Sequence, residues 1–119
     1  MRSKLLFSLI SGVLLLIFAI YQFISFSDKK LHIVFCSVGQ GDAILIRTPE
    51  GSDILVDGGP DESVSNCLSR HMPLWDRTIE VVYLTHPDAD HLTGLIQVIK
   101  TYNVKYFGTS DAPKETLVF

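Results

Sequence analysis

Leu84-Thr85-His86-Pro87-Asp88-Ala89-Asp90-His91 follows the most strand-like run in the chain, Ile79 to Leu84, and precedes a helical pattern that starts near Leu92. Two imidazoles and two carboxylates fall within this stretch. In an extended segment alternate side chains point the same way, so the spacing makes His86, Asp88 and Asp90 converge. His91 joins them if a helix turns the chain there. Such a set can hold a divalent cation, or serve two neighbouring ones, and a held cation makes water nucleophilic at neutral pH. The competing reading is a polar loop in which Asp88 and Asp90 cap the next helix, Asp90 being able to do both.

Downstream of this loop, Leu95, Ile96, Ile99 and Tyr102 form a stripe that predicts a helix over roughly 92–102, with Asn103 as its C-cap. Val104 to Phe107 begins a further strand, and Pro113 to Phe119 reads as the start of a helix. Upstream, three apolar runs, Leu31–Cys36, Asp42–Thr48 and Asp53–Asp57, are separated by Gly39-Gln40-Gly41 and Thr48-Pro49-Glu50-Gly51. Glycine and proline at these positions predict tight turns, and the spacing predicts antiparallel hairpins. In the first run both faces are apolar, which predicts cover on both sides. Pro60 suits the first position of a helix whose stripe is Val64, Cys67, Leu68 and His71. The order of hairpins, helix, strand, helix, strand predicts an α/β fold (α+β layered) with helices on a sheet.

Asp57 ends a strand beside Gly58-Gly59, where a carboxylate can accept backbone N–H groups or orient a ligand histidine. Gln40 and Asp42 are further candidates for the same sheet end. Taken singly, all three are ordinary turn and loop residues. His32 and His71 read as packing or dipole partners, and Trp75 as a core or edge aromatic.

From Leu5 to Phe26 there is no charged residue, and about 20 apolar residues suffice for a bilayer-crossing helix. Residues 1–27 are therefore read as a single-pass membrane anchor, with a cleaved signal or a soluble helix as alternatives. Arg2 and Lys4 before the span, against Lys29 and Lys30 after it, slightly favour a cytoplasmic N-terminus and place residues 28–119 outside the cytoplasm. The formal charge of −3 over 119 residues, with no dense Lys/Arg cluster, shows no broad electrostatic footprint for nucleic acid. Cys36 and Cys67 match no zinc-ribbon spacing, and each reads as a small core residue rather than half of a disulfide.

Thr85-His86-Pro87-Asp88-Ala89-Asp90-His91 resembles the H-x-H-x-D-H signature of the metallo-β-lactamase superfamily. Ser37-Val38-Gly39-Gln40-Gly41-Asp42-Ala43-Ile44-Leu45-Ile46 and Ile54-Leu55-Val56-Asp57-Gly58-Gly59-Pro60 resemble the opening motifs of one branch, the C-terminal domain of ComEC-like competence proteins that take DNA into bacteria. Trp75-Asp76-Arg77-Thr78-Ile79 and Leu84 to Leu95 are similar to that branch as well.

The resemblance implies an αββα sandwich, of which residues 28–119 supply the N-terminal half, preceded by one transmembrane helix. It implies a dinuclear site, usually zinc. His86 and Asp88 would serve the first metal, and Asp90 and His91 the second. Asp90 would also orient or deprotonate the attacking water, as the catalytic residue, and Asp57 would be structural. Asp88 stands where many relatives have histidine, which favours manganese or magnesium more than a histidine would. The family's later ligands have no counterpart before Phe119, so the chain reads as truncated, with the other half of the domain expected beyond it. The function implied is phosphodiester or DNA hydrolysis, with the membrane, DNA and competence proteins as partners. The alternatives are an incomplete tethered fragment with a binding or assembly role, and a hydrolase of a lactone, thioester or β-lactam.

Overall fold

The computed structural model describes residues 2–110, and the helix expected from Pro113 lies outside them. A 25-residue helix, α1 (Arg2–Phe26), comes first and has no buried residue. At 1.5 Å per residue it is ~37 Å long, enough to cross a hydrocarbon core of ~30 Å. By length and composition it can span a membrane, a test that signal sequences also pass.

A five-stranded sheet follows, in the order β1 (His32–Phe35), β2 (Ile44–Arg47), β3 (Asp53–Val56), β4 (Thr78–Leu84), β5 (Asn103–Thr109). The first three strands pair antiparallel, as the turn signals predict. β4 joins β3 in parallel after helix α2 (Ser63–His71), and β5 joins β4 in parallel after helix α3 (Ala89–Thr101). Each parallel pairing needs a crossover long enough to return the chain to the same edge, and the two helices provide it.

Both helices cover one face of the sheet. The cross-strand row Leu45–Leu55–Val82 is fully buried there against Val64 and Leu68 of α2 and Leu95 and Val98 of α3. Burying each such side chain stabilises the fold by about 1.5–3 kcal/mol. The opposite face carries the row Ile33–Ile46–Ile54–Val81–Tyr106, and among the described residues it is open. Phe35 is 76% exposed and Tyr106 71%. The first strand is therefore covered on one side only, against the sequence expectation. Alternating apolar residues look alike whether one face is covered or two.

Other expectations also need correction. Pro60 does not open α2. Asp61 accepts the Ser63 N–H, and the helix starts at Ser63 with Glu62 at the N-cap position. Helix α3 starts earlier than expected, at Ala89, and buries His91, Gly94, Leu95 and Val98, while Ile96 and Ile99 are exposed. The true stripe contains a histidine and a glycine, which an apolar count passes over. Tyr102, not Asn103, holds the C-cap position, and Asn103 opens β5 by donating its N–H to the Arg77 carbonyl. Trp75 is 59% exposed and no core residue. Cys36 and Cys67 form a disulfide with Cα atoms 5.7 Å apart, which joins the end of β1 to α2. The pairing is set by the crossover that lays α2 beneath β1, and sequence spacing carries no trace of it.

Candidate functional site

The strands β1, β3 and β4 all end on one side of the sheet, where β2 begins. Three loops therefore meet there: 36–43, 57–62 and 85–88. Their contact is close. Gly41 has φ +89°, and a Cβ built on it would lie 1.9 Å from the Asp90 carbonyl oxygen. A Cβ on Gly94 would lie 1.8 Å from the Gly58 carbonyl oxygen. No side chain fits at either point, so these glycines set how near the first turn of α3 comes to the two upstream loops. The Gly59 N–H donates to the Asp42 carbonyl, and the Gly58 N–H to that of His91, so the three loops are tied by backbone.

Asp57 organises the side chains. It sits at the end of β3 with φ +58°, a left-handed conformation that aspartate tolerates better than most residues. One carboxylate oxygen accepts the Thr85 backbone N–H at 2.8 Å. The other accepts the Thr85 hydroxyl at 2.6 Å and lies 2.8 Å from Nδ1 of His91. A carboxylate only accepts, so the neutral form of His91 carries its proton on Nδ1 and offers Nε2 as the lone pair. The Thr85 hydroxyl has spent its proton on Asp57. It must therefore accept from His86 Nδ1, 2.8 Å away, and His86 also presents Nε2 as a lone pair. One carboxylate and one hydroxyl thus set both imidazoles in the ligand tautomer.

The two rings lie with centroids 3.8 Å apart. Nε2 of His86 is 3.6 Å from the Asp88 carboxylate, and Nε2 of His91 is 3.8 Å from that of Asp90. His86, Asp88 and Asp90 bring one ligand atom each within 4.8 Å of one another, and so do Asp57, His86 and His91. In the second group Asp57 is already occupied by three donors, so it fits an orienting role rather than a ligand's. His91 is buried, whereas His86, Asp88 and Asp90 are half-exposed and face solvent. The donor set suits a divalent cation: imidazole lone pairs beside carboxylates, with an open side. The chain's four candidate ligands thus come together. Asp88 occupies the N-cap position of α3.

A model of the metallo-beta-lactamase superfamily matches residues 36–116. The chain belongs to the metallo-beta-lactamase superfamily. No curated protein matches it significantly. The mixed sheet with helices on one face is consistent with part of the metallo-beta-lactamase fold, a metal-dependent hydrolase type, in which divalent metals are usual. Gln40 and Asp42 are exposed, and their loop reaches the site through the backbone at Gly41 and Asp42 rather than through those side chains. Thr85 escaped the sequence reading as a functional residue. Its only signal is a hydroxyl directly before a candidate ligand histidine.

Proposed function

We propose that this chain is a membrane-anchored, metal-dependent hydrolase that cleaves phosphodiesters, DNA foremost, in a competence setting. The observation that carries the reading is the shared orientation of His86 and His91, both turned by the Asp57–Thr85 pair so that Nε2 meets the carboxylates of Asp88 and Asp90. His86 and Asp88 would hold one cation, and Asp90 and His91 a second. When bound, the metals supply Lewis-acid stabilisation of charge on phosphorus and lower the pKa of water. Asp90, half-exposed at the mouth of the site, would orient the attacking water and take its proton. The N-terminal end of α3 lies at the same place, and its helix dipole favours an anionic substrate. The choice of DNA rests on the ComEC-like motifs, and fold alone would equally allow a lactone, thioester or β-lactam. Asp88 hardens the donor set, which keeps manganese and magnesium beside zinc as candidates.

The Cys36–Cys67 disulfide supports an extracytoplasmic domain, because such bonds persist in oxidising compartments. A second reading has its own support. Among the described residues, four ligands shared between two cations give two each, where catalytic zinc sites commonly use three. Among the described residues one face of the sheet is also open. On these grounds the chain alone would bind metal weakly and act as a tethered component. Cleavage of single- and double-stranded DNA by wild type and Asp90→Ala, with zinc or manganese added, tests the enzymatic reading. Equal cleavage by the two would remove Asp90 from the reaction, and no cleavage by wild type would favour the tethered component.

A further inference from the structure

The sheet has two ends, and the candidate site occupies only one. At the other end lie the starts of β1, β3, β4 and β5 and the end of β2. Helix α1 leads into that end through residues 27–31. The link from α2 to β4, residues 72–77, returns to the same end. It buries Met72 but leaves Leu74 57% exposed, beside Trp75. Two consecutive large apolar side chains on a short loop are thus more than half exposed.

The neighbours of Trp75 identify what covers it. Trp75 and Pro73 line one cavity with Phe23, Phe26 and Ser27 of the last turn of α1 and just beyond, together with Lys29, Arg47 and Glu50. Trp75 therefore stands level with the end of the apolar helix. Two of the nearby acidic groups are engaged, since Asp28 pairs with His32 at 2.9 Å and Asp76 lies 3.6 Å from Arg47, while Glu50 is exposed. Arg47 itself reaches over the Phe26 ring, 5.8 Å from its centroid. An indole beside the end of a membrane span, with Lys29 and Lys30 close by, matches the belt where tryptophan prefers to sit between acyl chains and headgroups.

We propose that Leu74 and Trp75 form a membrane-docking tip that seats in the bilayer boundary beside the end of α1. The occupant is the lipid into which α1 inserts, so this inference rests on the membrane-anchor reading. Two attachments, the helix and the tip, fix the orientation of the domain as one tether would not. The loops carrying His86, Asp88, Asp90 and His91 then face away from the bilayer, one strand length from it, open to a polymer arriving from the aqueous side.

Trp75 is the chain's single tryptophan, so its emission reports on this tip alone. The full chain is reconstituted in phosphatidylcholine vesicles containing some phosphatidylglycerol, washed with alkaline carbonate and floated. Retention supports the anchor; release into the wash overturns both anchor and tip. In retained protein, acyl-chain-brominated phosphatidylcholine should remove most of the Trp75 emission, while aqueous iodide should leave it nearly unchanged. Strong iodide quenching with no effect of brominated lipid would overturn the docking tip and leave the anchor standing. Protection from both quenchers would mean protein covers Trp75, and would overturn it as well. Leu74→Glu should restore iodide quenching without releasing the chain from vesicles; an unchanged response would count against insertion of the tip.

Discussion

Asp57 Oδ2 lies 2.8 Å from Nδ1 of His91, across 34 residues of sequence. The same oxygen takes the Thr85 hydroxyl, whose own oxygen faces His86. A residue that would touch no metal thereby decides which nitrogen each histidine offers.

Replacing Asp57 by Asn keeps the size but lets an amide N–H face His91, which can then turn over to the other tautomer. Outer partners of this kind commonly change metal affinity by about 10–100-fold. Asp57→Asn should weaken zinc or manganese binding by that factor, measured by competition with a chromophoric chelator. Unchanged affinity would make Asp57 a purely structural turn residue.

Gly94→Ala tests the close approach of α3. The added methyl has no room beside the Gly58 carbonyl, and overpacking of this sort costs roughly 1–3 kcal/mol or more. Thermal unfolding should show a lower midpoint, whereas Gly12→Ala, with open space around it in α1, should leave the midpoint unchanged. Equal behaviour of the two variants would mean that α3 is not held against the β3 loop.

The disulfide closes a separation of 31 residues, for which chain entropy gives about 3–4 kcal/mol of stabilisation. Cys36→Ser with Cys67→Ser should lower unfolding stability by an amount of that order, read from urea titration. Alkylation of the wild type under non-reducing conditions should label no thiol. Two reactive thiols in protein recovered from its native compartment would contradict the bond.

Asp53, at the opposite end of β3 from Asp57, is fully buried and bonded to Arg47 at 2.6 Å, with one carboxylate oxygen unpartnered. Burial pushes its pKa up to about 6, against the pull of Arg47. A raised carboxyl pKa means the folded state holds the proton more tightly. Its contribution is fully present below the unfolded value of 3.8 and is lost as pH rises through about 6. The loss is at most about 3 kcal/mol. Between pH 4 and pH 6, wild type should therefore lose stability relative to Asp53→Asn, compared by thermal melts on both. Parallel curves would show that Asp53 is ionised throughout.

The hairpins were legible because glycine and proline punctuate them and because their apolar runs are short. The ligand loop was legible because four chemically distinctive residues crowd one turn. The face of α3 was not: His91 and Gly94 belong to its buried stripe for reasons of site geometry and close packing, and neither counts as apolar. The disulfide and the Thr85 bridge were hidden for another reason. Both join positions that only the crossovers bring together, and local pattern holds no information about them. The open face of the sheet, with Phe35 and Tyr106, was hidden because alternation does not say whether a second layer is present.

Everything proposed for this site requires His86, Asp88, Asp90 and His91 to hold divalent cations. Equilibrium dialysis of the full chain against zinc and manganese, followed by elemental analysis, tests it most directly. Bound metal is expected in wild type and is expected to be lost in His86→Ala with His91→Ala, while circular dichroism stays native. Wild type that remains metal-free in replete buffer, or a double variant that binds as much as wild type, would contradict it.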